Sequence, residues 1–169
     1  MQPLCMFVDK NDIAIGAATI KEIEEKELTA RLSGVLIIRS NKNIVLHKVA
    51  PQKKWGLRWN VSAAGHVDEN ETYEIAALRE LKEELGITLK EEAITKIGYY
   101  CIKRENKTIG RFATIFEATY DGSFSPDKKE ICEIREFTPE ELKKELKENK
   151  DNFTWLAYDA LQTYLTKEG

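Results

Sequence analysis

Apolar residues along this chain recur either at the alternating spacing of β-strands or at the wider spacing of helices. Runs rich in β-branched and aromatic residues, separated by polar turns, predict strands. In chain order, the predicted strands are CMFVD, IAIGAATI, RLSGVLIIRS, NIVLHKV, RWNVSAA, AITKIGYYCIKRE, TIGRFATIFEATY and ICEIREF. The turn at Asn11-Asp12 and the turns SNKN and ENK predict three hairpins between neighbouring strands.

Four segments have the pattern of helices. The first, KEIEEKELT, is short and charged. The second runs from Thr72 to Leu85, with Asn70 or Thr72 as its N-cap and Gly86 as a left-handed C-cap. The third opens with Thr138 as N-cap of TPEE, and the fourth is FTWLAYDALQTYL. The apolar stripe of the fourth helix consists of Phe153, Leu156, Ala157, Ala160, Leu161 and Tyr164.

Mixed strands and helices with antiparallel hairpins predict an α/β or α+β fold, in which helices cover a mixed sheet. The 169 residues fit one domain, 1–169, with the hairpin and short helix of residues 4–29 packed on the core. The cysteines, Cys5, Cys101 and Cys132, lack a metal-binding spacing and are expected to be buried or half-buried thiols in a reducing compartment.

Composition narrows the possible partners. The net charge of −3 argues against a nucleic acid polymer as ligand. No apolar run approaches the ~20 residues of a membrane span. The first residues lack the basic and apolar regions of a signal peptide, so a cytoplasmic location without membrane contact is expected.

The second predicted helix carries a cluster of acidic residues. At about 100° per residue, Glu80, Glu83 and Glu84 fall together at the i, i+3 and i+4 positions. The apolar side of this helix would consist of Ile75, Leu78, Leu81 and Leu85. Like charges at this spacing repel one another and raise one another's pKa. The cluster is therefore either a solvated face or a set of ligands for a hard cation such as Mg²⁺.

Two residues near this cluster bear on its geometry. Arg79 could pair with Glu83, four residues later, or with Glu71 in the preceding loop. Either pairing would fix the loop relative to the helix. Gly65 ends a predicted strand, where the backbone needs either an unusual dihedral or a close approach to a ligand.

Residues 65–87, GHVDENETYEIAALRELKEELGI, resemble the Nudix box in every specified position. The strands before the box, the hairpin after it and the late helix also follow the Nudix order, so the resemblance covers most of the chain. It implies an α/β/α sandwich with a mixed β-sheet, in which the box forms a loop–helix–loop. Nudix proteins mostly hydrolyse a diphosphate linked to another group, with the help of a divalent metal.

The resemblance also implies roles for individual residues. The implied ligands of Mg²⁺ or Mn²⁺ are Gly65, through its carbonyl, Glu80, Glu83 and Glu84. Glu71 and Arg79 would be the structural pair of the box, and Arg79 would join the three glutamates in the catalytic set. The general base stays open among Glu83, Glu84 and Glu130, and Glu130 could instead be an exposed charge at a strand end.

The sequence around the box is similar to the isopentenyl-diphosphate isomerase-like branch of the family, as in KKWGLRWN and NVSAAGHV. The isomerases need a Cys before the Gly-His pair, several metal-binding histidines and a later pair of glutamates. The residues at those positions here are Ser62, Ala63 and Ala64 for the Cys, Ala30 for a His, and Ile109 and Arg111 for the glutamates. Only His66 matches a ligand histidine. These departures, with a complete box, favour a hydrolase on an isomerase-like scaffold.

Several residues near the box are candidates for substrate contacts. They are His66, Lys53, Lys54, Arg58, Trp55, Arg104, Arg111 and Glu130. A tryptophan can stack on a nucleotide base, and basic residues can pair with phosphates. Alternatively, His66 is a structural hydrogen-bonding group, and Trp55 and Trp59 are partly buried anchors. His47, on a predicted strand, is interpreted as a surface residue.

The leading hypothesis is a metal-dependent hydrolase that cleaves a diphosphate linkage in a nucleoside di- or triphosphate or a related nucleotide derivative. Water would attack phosphorus, with Mg²⁺ and a glutamate base activating it. The alternatives are an isoprenoid-diphosphate enzyme and a catalytically silent nucleotide-binding module. The resemblance does not identify the substrate, and it allows a homodimer.

Overall fold

The computed structural model describes residues 2–104, 106 and 108–168. At its centre is a mixed sheet of nine strands. These are β1 (Cys5–Val8), β2 (Ala14–Ala18), β3 (Thr29–Ile38), β4 (Ile44–Val49), β5 (Trp59–Asn60), β6 (Ala63–His66), β7 (Thr95–Lys103), β8 (Ile109–Thr119) and β9 (Ile131–Phe137). The described α-helices are α1 (Ile20–Glu25), α2 (Tyr73–Leu85), α3 (Pro139–Glu148) and α4 (Trp155–Lys167). The predicted α+β class with a mixed sheet is confirmed.

Strand β3 organises the sheet. It pairs antiparallel with β1, β4 and β6, and it runs parallel to β8, which places Ala30 opposite Arg111. Strand β4 also pairs with β5 and β9. The three predicted hairpins are present as β1–β2, β3–β4 and β7–β8. The ENK turn of the third hairpin lies partly outside the described residues.

The segment RWNVSAA was expected to form one strand, and this prediction is wrong. It forms two short strands, because β5 pairs with β4 whereas β6 pairs with β3. The side chain of Ser62 marks the crossing point: its Oγ donates to the carbonyl of Val45 and accepts from the amide of Ile37 at 2.7 Å. A buried hydroxyl thus replaces the backbone pairing that a continuous strand would have made.

Two hydrophobic clusters lie on opposite faces of the sheet. One packs α3 and α4 against the sheet, and the predicted stripe of α4 is buried as expected. The other packs α2 through Ala77, Leu81 and Leu85. Helix α2 is thereby fixed over the strand that ends at His66. Within the part of the chain that the structure describes, no helix is long and apolar enough to cross a membrane.

The predicted apolar side of α2 is partly wrong. Ile75 is 47% exposed, while Glu80 and Glu84 are each only 8% exposed. The buried face of the helix is rotated toward the glutamates, and it includes Ala76 and Ala77 instead of Ile75. A helix that buries two carboxylates beside a strand end has a reason other than packing for its orientation.

Other burial predictions also fail for reasons of topology. His47 is buried, not on the surface, because β4 lies between β5 and β9, and its Nδ1 is 2.9 Å from the carbonyl of Ser62. Cys5 is buried as expected, whereas Cys101 and Cys132 are exposed on the outward-facing positions of β7 and β9. Trp59 is buried, but its neighbour Trp55 is exposed.

Candidate active site

The ends of helix α2 set the register of its glutamates. Of the two candidate N-caps, Thr72 is used: its side chain accepts from the amide of Ile75 at 3.2 Å. Gly86 has a φ of 70° and ends the helix in the left-handed conformation. The amide of Ile87 then donates to the carbonyl of Leu81 at 3.2 Å. Both helix ends therefore have their backbone groups satisfied, which fixes where each carboxylate points.

Arg79 joins the loop before α2 to the helix itself. Its Nε and one terminal nitrogen donate to the two carboxylate oxygens of Glu71, at 2.8 and 2.9 Å. The same terminal nitrogen donates to the carbonyl of His66 at 2.8 Å. Its other terminal nitrogen reaches Glu80 at 2.6 Å and Glu83 at 3.2 Å. The pairings of Arg79 with Glu71 and with Glu83, both considered from the sequence, are therefore present together. The contact with Glu71 is bidentate and holds the loop rigidly.

Two of the three clustered glutamates are withdrawn from solvent. Burial raises the pKa of Glu80 to about 7, although Arg79 opposes that shift. Burial and the nearby Glu80 raise the pKa of Glu84 well above its ordinary value. The side chain of Glu83 is 59% exposed. The expected cause of raised pKa values was mutual repulsion of the carboxylates, but burial contributes more than repulsion does.

Gly65 is adjacent to the carboxylate of Glu80. A methyl group added at this glycine would overlap the Glu80 side chain. Its φ lies outside the left-handed region, so the need for glycine comes from close approach and not from backbone strain. One residue earlier, the amide of Ala64 donates to Glu84 at 3.0 Å. The end of β6 therefore lies directly against the two buried carboxylates of Glu80 and Glu84.

The chemistry of these residues fits a divalent cation. Glu80 and Glu84 are buried carboxylates with raised pKa values, and carboxylate and carbonyl oxygens are the ligands that Mg²⁺ prefers. Within residues 2–104, 106 and 108–168, no three acidic, histidine or cysteine side chains already converge as metal ligands. Arg79 contacts one oxygen of Glu80 and one oxygen of Glu83. The other oxygen of each carboxylate could therefore bind a metal while Arg79 keeps its contact.

A cavity of about 910 Å³ opens beside this cluster. We call its side formed by Gly65, Glu84 and Glu130 the acidic end. We call the side formed by Lys54, His66 and Arg111 the basic end. The apolar residues that line the rest of the cavity include Ile20, Leu32, Val49, Trp55, Ile102, Trp155 and Leu156. Polar and charged residues line it as well, namely Glu24, Glu27, His47, Lys53, Asn60, Lys103, Arg104 and Thr154. The cavity thus combines opposite charges with a hydrophobic wall, as ligand sites commonly do.

The structure brings most of the residues predicted from sequence together, but not all of them. Lys53 and Arg104 also line the cavity. Arg58 instead lines a neighbouring cavity of about 270 Å³, where its guanidinium lies 5.2 Å from the ring centroid of Trp55. Glu130 faces the cavity and forms an ion pair with Lys53. Glu130 and Glu84, two of the three candidate general bases, therefore line the same cavity.

Sequence reasoning missed the contributions of two distant helices. Glu24 on α1 reaches the basic end, where it forms an ion pair with Arg111 and lies 3.9 Å from Lys54. Trp155 and Leu156, at the start of α4, supply part of the apolar wall. Their local sequence predicts only amphipathic helices, and the tertiary packing alone brings them to the cavity.

His66 is the least satisfied polar residue at the site. Its Nε2 is shielded from solvent and has no hydrogen-bond partner among the described residues. Burial, together with Arg111, lowers the pKa of His66 to about 4. The ring is therefore neutral near pH 7 and keeps one nitrogen available for a ligand.

Comparison with known proteins identifies the family. The NUDIX domain family model matches residues 29–158. The chain belongs to the Nudix family. This confirms the resemblance drawn from the box. Nudix proteins act on small molecules that contain a diphosphate and generally use divalent metal ions.

Curated Nudix relatives fall into more than one functional group. The chain is 31% identical to a prenyl-diphosphate phosphatase of Methanosarcina mazei, over 87% of this chain and 86% of that protein. It is 28% identical to an isopentenyl-diphosphate Delta-isomerase of Aliivibrio fischeri, over 98% of both chains. It is 26% identical to Nudix hydrolase 3 of Arabidopsis thaliana over 76% of this chain, which spans only 18% of that protein.

Solved structures agree on the Nudix fold. The crystal structure of DR0079 from Deinococcus radiodurans superimposes with a TM-score of 0.77 at 21% identity. The match covers 95% of this chain and 99% of the other. At this level of identity the likeness establishes the fold only.

Proposed function

We propose that this Nudix protein is a metal-dependent hydrolase that cleaves a diphosphate linkage by attack of water on phosphorus. The observation that carries the proposal is the burial of Glu80 and Glu84 against the end of β6, where Gly65 and Glu84 line a cavity that is also lined by Lys54, His66 and Arg111. Buried carboxylates alone would repel a diphosphate. A bound divalent cation would reverse the local charge and make the site complementary to phosphate oxygens.

The proposed ligands of Mg²⁺ or Mn²⁺ are the carboxylates of Glu80, Glu83 and Glu84 and the carbonyl of Gly65. When bound, the cation would supply charge neutralisation and lower the pKa of a coordinated water. Arg79 positions the ligands from behind, since it already contacts Glu80, Glu83 and the loop residue Glu71. Its role is to hold the loop and helix in one geometry.

The general base would be a carboxylate that can accept a proton from water. Glu84 faces the cavity but has one oxygen committed to the amide of Ala64. Glu130 faces the same cavity and is held by Lys53. Glu83 is the most exposed of the three. We propose Glu84 and Glu130 ahead of Glu83, because only these two line the cavity.

The substrate proposed from the sequence is a nucleoside di- or triphosphate or a related nucleotide derivative. One observation favours a second class, an isoprenoid diphosphate. The cavity exposes more apolar than polar surface, with Leu32, Ile102 and Leu156 among its apolar residues. Such a surface suits a hydrocarbon chain, which needs no hydrogen bonds. A relative bearing the name prenyl-diphosphate phosphatase supports the same class.

Hydrolysis is preferred over isomerisation. In isomerases a Cys is expected just before the Gly-His pair, whereas Ala64 stands there and uses its amide to bind Glu84. At one position expected to carry an isomerase glutamate, the chain has Arg111, which forms an ion pair with Glu24. A dimethylallyl product from isopentenyl diphosphate would contradict this preference.

The testing experiment measures phosphate and diphosphate release from nucleotides, sugar nucleotides, dinucleotides and isoprenoid diphosphates, with Mg²⁺ or Mn²⁺. We expect turnover of one class, reduced at least about 100-fold in Glu83→Gln/Glu84→Gln, which removes two proposed ligands. Glu74→Gln, on the same helix away from the cavity, is the matched control and should retain full activity. Metal binding without turnover of any class would instead indicate a binding module.

A further inference from the structure

The basic end of the cavity holds more positive than negative charge. Arg111 and Lys54 carry two positive charges, and among the described residues Glu24 is the one carboxylate that pairs with them. The side chain of Arg111 is only 14% exposed, so its charge is weakly screened by water. A weakly screened surplus of positive charge favours an anionic ligand.

The side chain of His66 gives a second indication of a ligand, which does not depend on this charge. Its Nε2 is covered from solvent and has no partner among the described residues, although buried polar atoms are normally hydrogen-bonded. It lines the cavity together with Arg111 and Lys54. An imidazole N–H in the same cavity as a guanidinium can donate to a phosphate oxygen. A hydrogen-bonding group of a ligand that entered the cavity would satisfy this nitrogen.

Not every basic residue here is available. Arg104 donates to the carbonyls of Ile109 and Leu28, at 2.9 and 2.7 Å, and so holds the chain around it. Arg111 makes one similar contact, to the carbonyl of Gly110 at 2.7 Å, but its other terminal nitrogen is held only by Glu24 among the described residues. Lys54 is 72% exposed and is free to move. Arg111 and Lys54, the two cations that Glu24 contacts, would therefore become available to an anionic ligand once Glu24 moves.

We propose that the basic end binds a phosphate group of the substrate, and that Glu24 is an internal competitor that occupies Arg111 and Lys54 until the phosphate arrives. The inference deepens the proposed function and rests on it for the identity of the phosphate compound. Glu24 lies on the short helix α1, and its side chain is half exposed, so it can swing out of the cavity. Its departure would free both cations and leave a partner position for His66.

The chain connects the two ends of the cavity directly. Gly65, at the acidic end, is followed by His66 at the basic end, and consecutive Cα atoms are about 3.8 Å apart. The two ends of the cavity are therefore adjacent along the chain. The reacting phosphate would lie against the carboxylates, and the neighbouring phosphate would lie at the basic end. A diphosphate would then be recognised by both ends at once.

The test is the binding of inorganic pyrophosphate by calorimetry, in buffer freed of divalent metal on a chelating resin. Glu24→Gln removes the competitor, so the Kd should fall at least about threefold. Arg111→Gln should raise the Kd about tenfold, because a charge-assisted hydrogen bond is lost. Lys54→Gln should raise the Kd severalfold, and its exposure makes a folding defect a poor explanation of any change.

The matched control is Glu25→Gln. Glu25 is the next residue on α1, carries the same charge and pairs with Lys21 on the surface, away from the cavity. It should leave the Kd unchanged, which separates local competition from a general change in net charge. An unchanged or raised Kd in Glu24→Gln would overturn the proposal, since Glu24 would then position Arg111 instead of competing for it.

The experiments give different results if the phosphate subsite is wrong and if the proposed hydrolase function is wrong. Tighter pyrophosphate binding by Glu24→Gln, with no hydrolysis of any diphosphate in the presence of Mg²⁺ or Mn²⁺, would support the subsite and reject the hydrolase. Hydrolysis by the unaltered protein, with no response of pyrophosphate binding to Glu24→Gln, Lys54→Gln or Arg111→Gln, would support the hydrolase and reject the subsite.

Discussion

Arg79 donates to both carboxylate oxygens of Glu71, at 2.8 and 2.9 Å, while its remaining nitrogen reaches Glu80 at 2.6 Å. A single guanidinium thus joins the loop that follows Gly65 to the helix face that carries the proposed metal ligands. The planar fork of arginine makes this possible, because lysine has no second, fixed donor direction.

Replacing the guanidinium of Arg79 should reduce both the function of the site and the stability of the fold, even when the positive charge is kept. Arg79→Lys is expected to lower metal affinity or kcat by about 10- to 100-fold, as is typical for residues that orient metal ligands. It should also destabilise the fold by about 2 kcal/mol, through loss of partly buried, charge-assisted hydrogen bonds. Thermal unfolding and steady-state kinetics measure the two effects.

Arg135→Lys is the control for this change. Arg135 is half exposed and contacts Glu141 at 3.5 Å on the surface, where such pairs contribute little. Activity and thermal stability should be close to those of the unaltered protein. If Arg79→Lys behaved like Arg135→Lys, the bidentate contact would have no role in shaping the site.

Gly65→Ala should disturb the metal site more than the fold. The added methyl group would overlap the Glu80 carboxylate, so Glu80 must move. We expect the affinity for Mn²⁺, measured by paramagnetic titration, to fall at least about tenfold. Gly122→Ala is the control, since its methyl group would meet only the end of the Tyr120 side chain. Equal Mn²⁺ affinity in both variants would argue against Glu80 as a ligand.

Features of the fold that depend on residues close together in the sequence could be predicted, whereas features that depend on tertiary packing could not. The caps of α2 and the hairpins depend on neighbouring residues, so the sequence indicated them correctly. The burial of Ile75 and His47 depends on which elements pack against each face, and both predictions were wrong. The split at Ser62 likewise depends on a hydroxyl contact with β4 that no local pattern indicates.

The site shows the same division. The box residues were recognisable because their spacing is constrained by one loop and one helix. Glu24 could not be identified, because α1 looks like any short charged helix and reaches Arg111 only through the arrangement of the sheet. The apolar wall was missed for a similar reason, since Trp155 and Leu156 belong to a helix that starts more than sixty residues after the box.

The buried carboxylate of Glu80 should make the metal-free protein less stable as the pH rises. Its pKa is raised from an ordinary 4.5 to about 7, so the folded state binds the proton more tightly than the unfolded state does. The stabilising contribution is complete below pH 4.5, declines between 4.5 and 7, and is absent above 7. The full difference is roughly 3 kcal/mol.

Urea unfolding at several pH values, without divalent metal, checks this expectation. Glu80→Gln keeps the shape of the side chain but cannot ionise, so its stability should fall less between pH 5 and pH 8 than that of the unaltered protein. Glu92→Gln, at an exposed position, should not alter the pH profile. An equal decline in Glu80→Gln and in the unaltered protein would show that Glu80 does not titrate in this range.

Metal binding should have the opposite pH dependence. Mg²⁺ and protons compete for the same carboxylate oxygens, so raising the pH through about 7 removes the competing proton from Glu80 and should increase metal affinity. The gain in melting temperature on adding about 10 mM Mg²⁺ should therefore be larger at pH 8 than at pH 5.5. Glu80→Gln should reduce this gain at pH 8 and flatten its dependence on pH. Equal gains at both pH values in the unaltered protein would place the bound metal away from Glu80, and the assignment of this buried carboxylate as a ligand would be wrong.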